Sequence, residues 1–97
     1  METNTKSFSK HLTERYGDKG TLKRTEFESK AKVFAIGEMI KEERKHANLT
    51  QEQLAEKIGA KKSYISRIEN GKSDIQISTL FKLIEFGLGR KISLTIL

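Results

Sequence analysis

Apolar residues along this chain recur at spacings that change from segment to segment, and each change marks an element. In "SFSKHLTERYG", Phe8, Leu12 and Tyr16 stand four apart, one stripe of a short helix that Gly17 stops. A loop with two glycines, "GDKGT", follows. The next stripe runs through Phe27, Ala31, Phe34, Met39, Ile40 and Ala47, with "KEERK" on the opposite face, and predicts a long helix ending near His46. Either Thr21 or Thr25 would cap its start, Thr25 having Glu28 three residues on in the spacing of a capping box. Gly37 marks the place where this helix is expected to bend.

A tighter pattern occupies "LTQEQLAEKIGAKKSYISRIENGKS", Leu49 to Ser73. Thr50 with Gln53 forms a second capping box, and Leu54, Ala55 and Ile58 share one face behind it. Gly59 then stands where a tight turn needs the positive φ that a Cβ resists. A new helix restarts at Lys61 or Lys62, carries Ile65 and Ile68 inward, and stops at "ENG". Farther on, Ile77, Leu80, Leu83, Ile84 and Leu88 predict one more amphipathic helix, closed by Gly87 or Gly89. The last stretch, "RKISLTIL", alternates Ile92, Leu94 and Ile96 with Lys91, Ser93 and Thr95, the period of a strand. One strand cannot satisfy its own backbone, and the rest of the chain offers no second, so this strand is expected to pair across a dimer.

Two short helices joined by a glycine turn describe a helix-turn-helix unit, and the small Ala55 suits a close crossing between them. With Ile65 and Ile68 inward, the second helix turns Lys61, Lys62, Ser63, Ser66 and Arg67 outward. Cations and hydroxyl donors at the start of such a helix are what a DNA major groove would meet. Any solvated helix can carry Lys, Ser and Arg; the capping box, small alanine, turn glycine, isoleucine pair and basic start together are far more specific. Charge agrees with this reading. The net charge is +6, and residues 61–97 carry 7 basic and 3 acidic side chains, whereas residues 31–60 are balanced at 5 and 5. An excess gathered in one third of a chain points toward a polyanion.

Composition narrows the alternatives. There is no cysteine, so disulfides and thiolate metal sites are excluded, and His11 and His46 lie far apart, so neither a metal nor a cofactor is expected. Ser63 and Ser66 have no histidine nearby in sequence, which argues against an enzyme. No apolar run nears the roughly 20 residues of a membrane span. "METNTKSFSK" lacks the apolar core of a signal peptide, so a cytoplasmic protein is expected. Ninety-seven residues with 35 % apolar content suit one small domain that gains by pairing with a copy of itself.

From "LTQEQLAEKIG" through "YISRIENGKS" to "ISTLFKLIEFGLG", about residues 38–88, the chain resembles the Xre/Cro family of helix-turn-helix repressors. The resemblance implies a mostly α, lambda-repressor-like bundle of five or six helices. By it, Gln51 touches a DNA phosphate, and Lys61, Lys62, Ser63 and Arg67 read bases or phosphates. Backbone amides around Asn70, Gly71 and Lys72 grip another phosphate, while Arg44 and Glu69 form a partly buried structural ion pair. Position 61 departs from the family, which commonly places a capping Ser or Thr there. Over a longer stretch, "YGDKGTLKRTEFESKAKVFAIGEMIKEERKHANLTQEQLA" with the terminal "KISLTIL" is similar to the HigA-type antitoxins. That similarity implies a homodimer on a pseudo-palindromic operator and a RelE/HigB-like ribonuclease toxin as partner. Phe8, Leu12 and Tyr16 of the N-terminal extension, residues 1–30, would then face the toxin, residues 31–90 would form the DNA-binding domain, and 91–97 the dimerisation strand. The alternatives are a stand-alone repressor of the phage-repressor or restriction-controller kind, and a helical adaptor without DNA binding.

Overall fold

The computed structural model describes residues 20–97. The expected first helix, with Phe8, Leu12 and Tyr16, lies outside the described residues. Helix α1 spans Leu22–His46, α2 Gln51–Ile58, α3 Lys62–Glu69 and α4 Ile77–Phe81, and α4 continues directly into a π-helical segment, Lys82–Gly87. The chain divides into two compact units inside α1, between Lys32 and Val33.

In the first unit, Thr21 starts α1: its hydroxyl accepts from the amide of Arg24 at 3.2 Å. The Thr25–Glu28 capping box therefore does not form, because Thr25 already sits in the helix with its own amide on the Thr21 carbonyl. Glu28 pairs instead with Arg24, Nε to Oε1 at 2.8 Å, one turn away. Arg24 is buried.

The second unit holds the core. Ile40 of α1, Leu54, Ala55 and Ile58 of α2, Ile65 and Ile68 of α3, Leu80 of α4, and Leu83 and Ile84 of the π-helical segment form one cluster. Helix α2 packs on both α3 and the π-helical segment, with Ala55 2 % exposed where a larger side chain would hold the helices apart.

The stripe expected along α1 is corrected. Phe34 and Met39 are substantially exposed, as is Ala47, and the face turned to the core is Ile36, Gly37, Ile40 and Arg44. Gly37 is a contact point: a Cβ there would run into the carbonyl oxygen of Ile68 and stand 3.1 Å from that of Glu69. Its bareness lets α1 lie against the backbone of the end of α3.

All three of these helices stop in the same way. Asn48, Gly59 and Gly71 have φ of 57°, 69° and 68°. The amide of each bonds three residues back, to Lys45, Glu56 and Ile68, and the following amide bonds five back, to Arg44, Ala55 and Arg67. This paired pattern satisfies helix-end carbonyls with main chain alone.

No strand occurs among the described residues. The amide of Leu88 donates to Leu83 and that of Arg90 to Ile84, and Arg90 pairs with Glu43 at 2.9 Å. Ile92 packs against the core, but Leu94, Ile96 and Leu97 are 63, 99 and 114 % exposed. The physical reason lies in the alternation itself: a segment without a neighbouring ladder has nowhere to send its backbone hydrogen bonds, so it cannot be a strand in one chain.

Candidate nucleic-acid interface

The site is built on the turn between α2 and α3. Thr50 caps α2, its hydroxyl taking the amide of Gln53 at 3.0 Å while the Gln53 side-chain oxygen takes the amide of Thr50 at 2.8 Å. After the eight residues of α2 Gly59 turns the chain, and Lys61, at φ −93° and ψ 148°, begins α3 without any side-chain cap. The absence of a capping Ser or Thr at this position is thus visible in the geometry: the Lys61 carbonyl receives the amides of Tyr64 and Ile65, yet nothing closes the helix from its side chain.

Helix α3 presents two unlike faces. Ile65, Ile68 and Glu69 are buried, at 0, 2 and 1 % exposure. Lys61, Lys62, Ser63 and Arg67 are exposed, and Ser66 is half-buried. None of the side chains of Lys61, Lys62, Ser63 or Arg67 makes a hydrogen bond or ion pair among the described residues, so their donors stay open. The Ser66 hydroxyl oxygen accepts a 3.4 Å contact from the side-chain Nδ2 of Asn70, one turn on.

Glu69 ends the helix and anchors it. Arg44 donates through Nε at 2.7 Å and Nη2 at 3.0 Å to the two carboxylate oxygens, and through Nη1 to the Leu49 carbonyl at 2.8 Å. The hydrogen bond to Glu69 raises the Arg44 pKa above its ordinary value, against the opposing cost of burial, so Arg44 keeps its charge at any physiological pH. Gln51, half-buried at the first position of α2, donates from Nε2 to Glu69 Oε1 at 3.1 Å. One carboxylate therefore ties α1, α2 and α3 together.

The turn after α3 differs from what the family resemblance implies. The amides of Asn70, Gly71 and Lys72 donate to the carbonyls of Ser66, Ile68 and Arg67 at 3.0, 3.1 and 2.9 Å. These main-chain donors are spent on closing the helix, so an incoming phosphate finds at these positions only the exposed side chains of Asn70 and Lys72. Phe34 of α1 lies against this turn, its ring within 2.9 Å of where a Cβ on Gly71 would stand.

Three features escaped the sequence. The Gln51–Glu69 bond joins residues 18 apart and has no local signal. Phe34 covering Gly71 is equally non-local. Tyr64, half-buried on the core at the start of α3, was missed as well, although its place four before Ile68 on the same face was a signal that could have found it. The residues expected to form a dimer seam are not gathered: Ile92 is tucked in, Leu94 and Ile96 are free. Among the described residues no group of His, Asp and Glu could hold a metal, and no helix is long and apolar enough to cross a membrane.

No curated protein matches the chain. The match that does occur falls on the elements just described: residues 40–87 fit the family model described as Helix-turn-helix, of the Xre/lambda-repressor-like kind, and this segment is a helix-turn-helix domain.

Proposed function

We propose that the chain is a DNA-binding transcriptional regulator that lays α3 in a major groove. The observation that carries this is the division of α3: Ile65, Ile68 and Glu69 are locked into the core and to α1, while Lys61, Lys62, Ser63 and Arg67 stand open beside them. Side chains of Gln51, Ser66, Asn70 and Lys72 add polar contacts around that helix, those of Gln51 and Lys72 to phosphates. Two copies would read half-sites about one helical turn, ~34 Å, apart on a pseudo-palindromic operator. Selection from randomised duplexes tests this directly: enrichment of a spaced inverted repeat supports it, and no enrichment together with no binding in low salt sinks it. Lys62→Ala should weaken binding to the selected operator about tenfold or more, the scale of one lost base contact. An unchanged dissociation constant by fluorescence anisotropy would remove Lys62 from the interface.

The homodimer is proposed from the tail. Leu94, Ile96 and Leu97 are apolar and exposed, beside a shallow cleft lined by Met39, Ile40, Glu43, Ile84, Leu88 and Ile92. Pairing with a second tail would supply the missing ladder. Within this reading the chain is an antitoxin that neutralises a RelE/HigB-like ribonuclease and represses its own operon, a role supported by its similarity to HigA-type antitoxins. Copurification from the native host, with mass spectrometry, discriminates. A stoichiometric small basic protein supports the antitoxin; only DNA and self-association leave the stand-alone repressor.

A further inference from the structure

We propose that Glu69, besides holding Arg44, is a positioning residue for DNA contact that acts through the side-chain amide of Gln51. It rests on the reading of Gln51 as a phosphate contact and says what makes that contact possible. A carboxylate only accepts hydrogen bonds, so the Gln51 amide has one allowed orientation on it, with Nε2 inward at 3.1 Å from Oε1. Rotated by half a turn, the amide would set its own oxygen against an anion. Glu69 in turn cannot swing, because Arg44 holds both of its oxygens, at 2.7 and 3.0 Å, and is itself fixed on the Leu49 carbonyl at 2.8 Å.

Gln51 is half-buried, and its bond to the carboxylate is only partly buried, so the side chain is held at the boundary between the core and solvent. The nitrogen carries two hydrogens; one serves Glu69, and the second is left for an acceptor outside. A single planar group then bridges a buried anion and a phosphate oxygen, and it arrives oriented. Arg44 offsets the charge of Glu69, so the buried carboxylate does not repel that phosphate. Without Glu69 the amide turns freely and offers its oxygen to the phosphate as often as its donor. The contact would be lost on every sequence alike, since phosphates carry no base identity.

The test is a two-by-two set in the full chain: wild type, Gln51→Ala, Glu69→Gln and the double variant. Each is titrated by anisotropy against a mixed-sequence duplex and melted by circular dichroism. Gln51→Ala should weaken binding about tenfold, the scale of a hydrogen bond to a charged group. Glu69→Gln should weaken it comparably in the wild-type background but by no more than about twofold in the Gln51→Ala background, the margin of ordinary additivity. The melting temperature should fall in both backgrounds. Equal loss of affinity in both, or none in the wild type, overturns the proposal, because a purely architectural Glu69 takes no notice of residue 51. Should Gln51→Ala leave affinity intact while Lys62→Ala lowers it, the phosphate reading of Gln51 is what fails, and the proposal falls with it. A wild-type chain that binds no duplex fails earlier still, at the regulator reading. If Glu69→Gln does not fold, side-chain amide exchange in the wild type decides. The Nε2 protons of Gln51 should exchange with water several-fold more slowly than those of exposed Gln76; equal rates overturn the proposal.

Discussion

Lys61 begins α3 in an extended conformation suited to a cap, yet its side chain caps nothing. Lys61→Ser would place a hydroxyl within reach of the first free amides, so stability should rise by about 1 kcal/mol in urea unfolding. The same change removes a cation beside the proposed groove and should weaken DNA binding, more so at low salt. A variant that gains stability and keeps its affinity would show that Lys61 lies outside the interface. Arg44 makes the opposite case, a charge that cannot be spared. It is 9 % exposed, and Arg44→Met would strand the Glu69 carboxylate. The loss should be about 3–5 kcal/mol, whereas making both positions apolar should cost much less. Because the hydrogen bond to Glu69 raises the folded-state pKa of Arg44 above its ordinary value, its stabilising contribution is complete below that ordinary value and is lost only as pH rises through the raised one. Melting curves should therefore show no loss from this group between neutral and moderately alkaline pH.

Among the elements, α1 departed furthest from its sequence pattern. Capping residues, turn glycine and the inward isoleucines of α2 and α3 were legible because each works within one or two turns of itself. Helix α1 was misread because its inward face is Ile36, Gly37, Ile40 and Arg44, and two of those four do not look apolar. Gly37 is inward because the carbonyls of Ile68 and Glu69 come against it, and Arg44 because Glu69 neutralises it. Both reasons are tertiary, and a linear pattern cannot contain them. Gly37→Ala should consequently do more than its small size suggests, costing about 1–3 kcal/mol by forcing α1 off the end of α3. Gly59 provides the contrast. A Cβ there meets nothing within 4 Å, so Gly59→Ala carries only the strain of a left-handed backbone, about 1–2 kcal/mol. If the two variants differ in DNA affinity after correction for unfolding, Gly37→Ala should be the weaker binder, since it alone moves α3.

For the molecule as a whole, the tail is where the sequence pattern and the single chain part company. Alternation over residues 91–97 was legible, but a strand is a relation between segments, and among the described residues the second segment is absent. Removing residues 93–97 leaves Ile92 on the core and should give monomers by sedimentation velocity, with operator affinity falling steeply. A dimer that persists would place the seam elsewhere. The helix ends carry a different consequence. Each of α1, α2 and α3 is closed by its own main chain, and the side chains of Lys61, Lys62, Ser63 and Arg67 take no part in any of these closures. The part that holds shape and the part that carries the message are thus different atoms. Variants that exchange Lys62, Ser63 and Arg67, which unlike Lys61 do not stand at the cap, should melt within a few degrees of one another while preferring different operators. A lineage built on this scaffold could acquire a new address on DNA without passing through an unstable intermediate.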